Sequence, residues 1–507
     1  MEGLSLELWE LIQDELPPPF AAYAAVSRAW QRFFESRTFA SIRVRSTEIE
    51  KFDTVFADRR RRALIKELTY TVELPNVSKK RFKKFQGRRE GSANNTAYTK
   101  AVYELFECLH GWDEAGSSSG LSLDIVAQAA IDDYVPESPY NHTYGEPAWK
   151  TRNHNCYIAF DMNAVGSTSL PSAPCVRTLR VTSGRQIHPS FVGVYANALP
   201  RVSKMWCDFY PPGRRLASLR RELRTALANT FLHASFECLT HLDLYWEDSD
   251  PFNEDFALED LRDPESNVDL LSIGVRRISQ LPRLQELILR GSHVLSLEVF
   301  GLSQTAEEEA GNSPLWPSIT TLLLDLSGTV PDGGWYFTGD PTAAGESVER
   351  TSDPSDESEC NYGSSDSNLS HFTPDLAWER LDGNLPSHMF RNQINRETFD
   401  PLLLAVVRSA SHMPCIRRLG VYFSDFGASV EYLATRKKHH ARDEVERRFE
   451  EENDMRGRWY IDIHPRGATA AEVNWEVPLD IKRVLRESTG RDGSVALARK
   501  GCYYLDV

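Results

Sequence analysis

The sequence has 507 residues, of which 41% are hydrophobic, and a formal net charge of −15. This length exceeds one ordinary small domain and predicts a small module joined to a large, core-forming domain. The acidic balance argues against general binding to nucleic acid or anionic membranes. No apolar run reaches the roughly 18 residues that a transmembrane helix needs, so no transmembrane helix is expected. We predict neither a nucleic-acid nor a membrane partner.

The cysteines and the first residues indicate an intracellular protein, cytoplasmic or nuclear. The 8 cysteines are scattered and form no CxxC pair, which favours reduced thiols over a disulfide framework. Glu2, Glu7 and Glu10 stand where a secretory signal peptide would carry positive charge.

Two short amphipathic helices are predicted at the N-terminus. Apolar residues recur at helical spacing over residues 4–16, and the prolines at 17–19 end that helix. A second helix follows over residues 20–35, with the sequence FAAYAAVSRAWQRFFE. The pair carries more large apolar side chains than it can bury, so the surplus must pack on another domain or on a partner. A plain helical cap on the main domain is the alternative interpretation.

The order of residues in this segment resembles the F-box family, and more narrowly the fungal F-box proteins. Leu4-Ser5-Leu6-Glu7 corresponds to the family's LPxE opening, with Ser5 at the usual proline position. Val26-Ser27-Arg28-Ala29-Trp30 matches the family's Val-Ser/Cys-basic-x-Trp step. The resemblance implies an F-box over residues 1–45, in which Trp30 supports the helices and Leu8 contacts the partner. The implied adaptor-binding residues are Leu4, Leu6, Leu8, Ile12, Leu16, Val26 and Trp30.

This resemblance also implies a function. The chain would be a substrate-recognition adaptor of an SCF-type (Skp–cullin–F-box) E3 ubiquitin ligase, with the F-box docking on a Skp-type adaptor and, through it, on a cullin. The large domain would bind an unknown protein substrate, and the chain itself would not be an enzyme. Two alternatives stay open: an F-box interaction scaffold without ubiquitin transfer, and an enzyme whose site leaves no sequence motif.

A short phrase recurs through the rest of the chain: an apolar residue, two polar residues, then an apolar-x-apolar step. This phrase is typical of a leucine-rich-repeat strand, although the intervals between copies are irregular. We therefore predict an α+β protein overall, with an N-terminal all-α F-box followed by an α/β degenerate leucine-rich-repeat-like solenoid over residues 46–327 and 373–507. A mixed α/β domain whose strands share this rhythm is the alternative. The copies lie at residues 65–70, 176–181, 202–207, 239–244, 284–289, 319–324 and 416–421.

Several polar segments interrupt this pattern. Residues 328–372 are rich in Gly, Ser, Asp and Glu and are predicted to be a disordered acidic loop, in which Ser355 or Ser358 could be phosphorylated. Residues 431–456 are predicted to form a highly charged, solvated helix. Two basic clusters, at residues 59–62 and 79–85, indicate a nuclear-import patch, a contact to an acidic partner or a solvated loop.

Motifs of catalysis and cofactor binding are missing from the sequence. It contains no P-loop, GxGxxG, HExxH or GxSxG pattern. His154 lies near Cys156, and His439 adjoins His440, but neither pair has a second ligand pair at metal spacing. We therefore predict no catalytic residues, no metal and no cofactor.

Overall fold

The chain forms two compact units. The first comprises the described residues up to Ile187 together with Val194–Cys207, and the second comprises His188–Gly193 and the described residues from Asp208 onward. The computed structural model describes residues 21–78, 86–112, 120–129, 156–181, 185–246, 248–301, 316–343, 376–433, 458–463, 475–489, 495–498 and 505–506.

The first unit contains five parallel strands that are neighbours in chain order, and helices lie between them in the sequence. The helices are α1 (Ala21–Ala24), α2 (Arg28–Thr38), α3 (Ile49–Val55), α4 (Arg59–Arg62), α5 (Arg88–His110) and α6 (Phe191–Ala198). The strands are β1 (Ser41–Arg45), β2 (Glu67–Glu73), β3 (Leu121–Gln128), β4 (Val176–Val181) and β5 (Lys204–Phe209). Both α6 and β5 cross the boundary between the units.

Alternating side chains explain why these segments form strands. In β2, Leu68, Tyr70 and Val72 are buried, whereas the residues between them are partly exposed. Successive strand residues point to opposite faces, so this pattern covers one face of the sheet with apolar side chains. The Tyr70 hydroxyl donates to the carbonyl of Ala101 in α5 at 2.9 Å, which fixes that helix on the buried face.

The second unit also alternates helices and strands. Strands β6, β7, β8 and β11 are parallel neighbours, after which β12 and β13 run antiparallel. The helices are α7 (Ala217–His233), α8 (Leu270–Ser279), α9 (Leu376–Leu381), α10 (Arg396–Ala410) and α11 (Leu479–Thr489). The strands are β6 (His241–Trp246), β7 (Glu286–His293), β8 (Thr321–Leu326), β9 (Phe337–Thr338), β10 (Gln393–Ile394), β11 (Arg418–Phe423), β12 (Ala428–Leu433), β13 (Arg458–Ile463), β14 (Val495–Ala498) and β15 (Leu505–Asp506).

An aromatic cluster lies inside a segment that the sequence predicts to be disordered. Phe337 is fully buried and stacks on Phe426, with ring centroids 4.2 Å apart and ring planes 4° from parallel. Trp335 and Tyr336 beside it are also buried. Residues 328–338 therefore belong largely to the packed structure, and residues 344–372 of the predicted loop lie outside the described residues.

The predicted fold class is wrong. The described chain is an α/β protein with a mostly parallel sheet and helices, and the N-terminal region is not an all-α module followed by a solenoid. Strand β1 lies within residues 1–45 and pairs in parallel with β2, with Val44 opposite Tyr70. Toward the C-terminus the sheet turns antiparallel at β12, which a repeated unit of one kind would not do.

The recurring phrase marks strands rather than repeats. Each of its seven copies coincides with a strand of the mostly parallel arrangement. In the copy at 239–244, Leu239, Leu242 and Leu244 are fully buried, while His241 and Asp243 are partly exposed. Any strand covered by helices on one face shows this rhythm, so the phrase does not distinguish a solenoid from another α/β arrangement.

The predicted charged helix at 431–456 is also wrong at its start. Glu431 and Tyr432 belong to the strand β12, which pairs antiparallel with β11. The alternation that begins at Ala428 and Val430, both buried, extends the strand past the point where charge begins to dominate the sequence. The remainder of that prediction, residues 434–456, lies outside the described residues.

Candidate functional site

The Val-Ser-Arg-x-Trp phrase forms the beginning of α2. Ser27 is the N-cap residue, and its Oγ accepts a hydrogen bond from the backbone N–H of Trp30 at 3.3 Å. Serine suits this position because its hydroxyl satisfies an amide that the first helical turn leaves without a partner. The phrase therefore has a clear local role: it ends α1 and begins α2 at a defined residue.

The two predicted docking residues that the structure describes differ in exposure. Val26 is 60% exposed at the junction of the helices. Trp30 is half-buried, and its ring centroid lies 6.4 Å from that of Tyr23 and 5.6 Å from that of Phe34. Trp30 thus packs within the helical pair, while Val26 offers an apolar surface to solvent. The other predicted docking residues, Leu4, Leu6, Leu8, Ile12 and Leu16, lie outside the described residues.

A buried carboxylate ties α2 to the basic cluster. Glu35 is 6% exposed and accepts hydrogen bonds from Gln31 at 2.9 Å, from Arg61 at 2.9 Å and from Arg60. Burial raises the pKa of Glu35, but the hydrogen bonds from Gln31 and Arg61 and the charges of both arginines outweigh it, so the pKa lies below its usual value. We name Glu35, Arg60 and Arg61 the N-terminal ion cluster.

The basic cluster at 59–62 is mostly occupied by contacts within the chain. Arg62 donates to the carbonyls of Phe56 at 2.5 Å and Gly111 at 3.0 Å, and its guanidinium lies 5.7 Å from the centre of the Trp112 ring. Arg60 and Arg61 are bound to Glu35, so the guanidinium groups of Arg60, Arg61 and Arg62 all have structural partners. One interpretation of this cluster from the sequence was a contact to an acidic partner. In the structure, Glu35 of the same chain makes such a contact with Arg60 and Arg61. The cluster at 79–85 lies outside the described residues.

A second charged region lies in the second unit, beyond the carboxyl end of β6. The strand ends at Trp246, and Asp248 and Asp250 follow it, both buried. Arg220 of α7 places one guanidinium nitrogen 3.0 and 2.9 Å from the two carboxylate oxygens of Asp248. Arg214 also approaches this carboxylate, at 3.9 Å. We name Arg214, Arg220 and Asp248 the edge ion cluster.

Two further titratable groups lie buried at this strand end. Asp250 accepts hydrogen bonds from the Ser327 hydroxyl and from the Gly328 amide at 2.9 Å, and burial raises its pKa to about 6. His293, the last residue of β7, is fully buried. Burial, helped by the positive charge of Arg224, lowers the pKa of His293 to about 4. The imidazole is therefore neutral near pH 7.

A pocket of about 200 Å³ opens beside these groups. Its walls include Val294, directly after β7, and Val330, which follows β8. The carboxyl ends of parallel strands are where open α/β sheets bind ligands. The other lining residues are Arg214, Ala217, Arg220, Phe256, Ala257, Leu258, Glu259, Leu261 and Thr329.

Sequence reasoning missed this second region. The acidic run after β6, which contains Asp248 and Asp250, was an available signal because charged residues directly after an apolar strand often face a strand-end crevice. The arginine partners of these aspartates could not be identified from the sequence. Arg220, for example, pairs with Asp248 across 28 residues, and no local pattern indicates such a pair. Among the residues that the structure describes, no group of three or more His, Cys, Asp or Glu side chains could hold a metal ion.

Comparison with known proteins does not assign the chain to a family. No model of a known protein family matches the sequence, and a search of curated proteins finds no match. Within the described part of the chain, no helix has both the length and the apolar character needed to cross a membrane.

Proposed function

We propose that the chain is a substrate-recognition adaptor of an SCF-type E3 ubiquitin ligase, acting in the cytoplasm or nucleus. The observation that carries this proposal is the Val-Ser-Arg-Ala-Trp phrase of residues 26–30. It forms a capped helix start that leaves an apolar side chain, Val26, 60% exposed beside the packed ring of Trp30. An exposed apolar side chain next to an aromatic ring that packs within the helical pair fits the docking face that the F-box resemblance implies.

The N-terminal ion cluster supports the same proposal. A docking helix must be held in a fixed orientation, because mobility of the anchor would weaken the interface. Glu35 binds α2 to Arg60 and Arg61 of α4, and Phe34 beside it is almost fully buried. The helix that carries Trp30 is therefore fastened to the first unit by both apolar packing and ion pairs.

The proposed mechanism is proximity rather than catalysis by this chain. Docking on the Skp-type adaptor, and through it on a cullin, would bring a bound protein substrate close to the ubiquitin-charged enzyme. The gain is in the effective concentration of the substrate's lysines near that enzyme. No nucleic acid or membrane partner is part of this proposal.

A point substitution tests the docking better than a truncation does. Removal of residues 1–45 would also delete β1, which pairs with β2, so a loss of binding would not separate docking from folding. Val26→Glu places a charge on the exposed side chain without touching the buried face. We expect at least a tenfold loss of co-purification with a purified Skp-type adaptor, because a charge would be desolvated in the interface.

The matched control is Leu297→Glu, which introduces the same charge at an exposed apolar residue of the second unit. It should leave adaptor binding unchanged. Unchanged binding of the Val26→Glu chain would sink the docking proposal. If the adaptor binds but no cullin or ubiquitin transfer accompanies the complex, the alternative of an interaction scaffold without ligase activity replaces it.

A further inference from the structure

The pocket beside the edge ion cluster combines an apolar interior with positive charge. Phe256, Leu258, Leu261, Val294 and Val330 line it together with the two arginines of the cluster. At roughly 30 Å³ per water molecule, a volume of about 200 Å³ corresponds to about seven waters or one small organic group. The pocket is therefore large enough for a branched aliphatic or single aromatic group.

Of the two arginines in the pocket wall, Arg214 has the weaker contact with a carboxylate, because Arg220 donates to both oxygens of Asp248. Its side chain is 12% exposed, and it donates to two neutral acceptors, the carbonyl of Asp382 at 3.2 Å and that of Ser249. Among the described residues its ion pair is with Asp248, at 3.9 Å, whose two oxygens already bind Arg220. Burial lowers the pKa of Arg214, and the charges of Asp248, Asp250 and Asp382 oppose this without outweighing it.

The other charged groups near the pocket contact partners of their own, although both carboxylate oxygens of Glu259 are buried without a hydrogen bond. Glu259, which lines the pocket, forms an ion pair with Arg221. The carboxylate of Asp382 is taken by Arg215, through its backbone N–H at 2.7 Å and its side chain. Asp250 is held by Ser327 and Gly328. The side chain of Arg214 donates to two neutral carbonyls, and the carboxylates near it are held by other groups, so this buried guanidinium favours a further anion.

We infer that this pocket binds a carboxylate carried on an apolar body, with Arg214 as the partner of the carboxylate and the apolar walls as the site of the body. Arginine suits this role because its planar guanidinium can donate two parallel hydrogen bonds to one carboxylate. Two sources supply this chemistry: a free small carboxylic acid, and the C-terminus of a polypeptide that ends in an apolar residue.

The surroundings of the pocket allow a longer ligand. Phe252, 49% exposed, and Met389, 48% exposed, lie on loops that pair through the hydrogen bond from the His388 amide to the Phe252 carbonyl at 2.9 Å. The first of these loops continues to Phe256, which lines the pocket. These exposed apolar side chains would add contacts only for a ligand that extends beyond the pocket, as a polypeptide does.

The inference concerns the second unit alone and does not depend on docking at Val26. If the ligand is a polypeptide C-terminus, the pocket is the substrate site of the proposed adaptor. If it is a free acid, the pocket stands as a ligand site whatever the N-terminal helices bind.

Calorimetric titration of the full chain with three probes tests the inference. The probes are 4-methylpentanoate, a short peptide ending in leucine with a free carboxylate, and the same peptide as its C-terminal amide. We expect a carboxylate form to bind and the amide to bind at least tenfold more weakly, because the amide lacks the charge that Arg214 needs. Equal affinity of the free acid and the peptide assigns the ligand to free acids, and tighter peptide binding assigns it to polypeptide C-termini.

Substitutions locate the binding. Arg214→Gln should weaken carboxylate binding about tenfold or more, whereas Arg277→Gln, on the exposed side of α8, should not. The Arg214 variant also loses hydrogen bonds to two carbonyls, which weakens the local structure, so Ala217→Leu provides a second test by filling the pocket. Ala226→Leu, on the same helix but away from the pocket, is its control. Binding of no carboxylate probe at millimolar concentration, or equal binding of the acid and the amide, overturns the inference.

Discussion

The N-terminal ion cluster and the edge ion cluster have the same composition, two arginines around one buried carboxylate, but different burial. Arg60 and Arg61 keep 44% and 32% of their side chains exposed, so water shares in their solvation. Arg214 and Arg220 keep 12% and 10%. A surface arginine tolerates an incomplete set of partners, whereas a buried arginine does not. The first cluster is thus suited to holding helices together, and the second is suited to binding a ligand that supplies the missing partner of a buried arginine.

The largest expected effect follows from the removal of the carboxylate of the edge ion cluster. Asp248→Asn leaves Arg220 buried without its charged partner, which costs about 3–5 kcal/mol. Hydrogen exchange of the α7 amides, together with urea denaturation, measures the loss. Asp260→Asn, at an exposed aspartate that pairs with Arg262, is the control and should leave both measurements unchanged.

A smaller effect is expected at the N-terminal ion cluster. Glu35→Gln should lower the local stability of α2 by about 1–2 kcal/mol, because Arg60 and Arg61 can turn to water once the carboxylate is neutral. Hydrogen exchange of the α2 amides checks this, with Glu50→Gln on the exposed side of α3 as the control. If Glu35→Gln costs as much as Asp248→Asn, exposure is not what separates the two clusters.

The smallest net effect concerns pH, because two buried groups of the second unit oppose each other. The raised pKa of Asp250 gives a stability contribution that is complete below pH 3.8 and is lost as the pH rises to about 6. The lowered pKa of His293 gives a contribution that is present above pH 6.5 and is lost as the pH falls to about 4. The contributions of these two groups to the free energy of unfolding should therefore largely cancel across this window.

Single substitutions should separate the opposite pH dependences that Asp250 and His293 give to the free energy of unfolding. Between pH 4 and 6.5, Asp250→Asn should make the free energy of unfolding rise with pH, and His293→Gln should make it fall. Urea denaturation at several pH values measures both. Parallel pH profiles for the two variants would contradict the opposed titration of these groups.

Local features of the fold were predictable from the sequence, while its long-range pairings were not. The apolar rhythm that repeats from residue 65 to 421 marks seven strands, because one buried face imposes a period of two. It did not show how the strands assemble, which is why the solenoid prediction failed. The N-cap at Ser27 is likewise a local signal.

The candidate sites also differ in whether their residues are close together in the sequence. Val26 and Trp30 stand in one short phrase, so their relation is readable from the chain. The backbone and side chain of Arg215 reach the carboxylate of Asp382 across 167 residues, and no local pattern encodes such a pair. The same applies to the buried aromatic residues 335–337, whose polar neighbours in the sequence suggested disorder while their packing partners lie far along the chain.

The joint between α2 and β1 sets the geometry of any docked complex. The helix ends at Thr38 and the strand begins at Ser41, and both intervening residues are pinned: Phe39 packs edge-on against Phe56 at 5.1 Å, and the Ala40 carbonyl accepts from the Lys66 and Glu67 amides at 2.9 Å. Because this connection is short and both of its residues are held by contacts, α2 cannot rotate freely relative to β1. A partner docked at Val26, as proposed, would therefore lie at a fixed distance from β1, whereas a flexible linker would allow a range of distances.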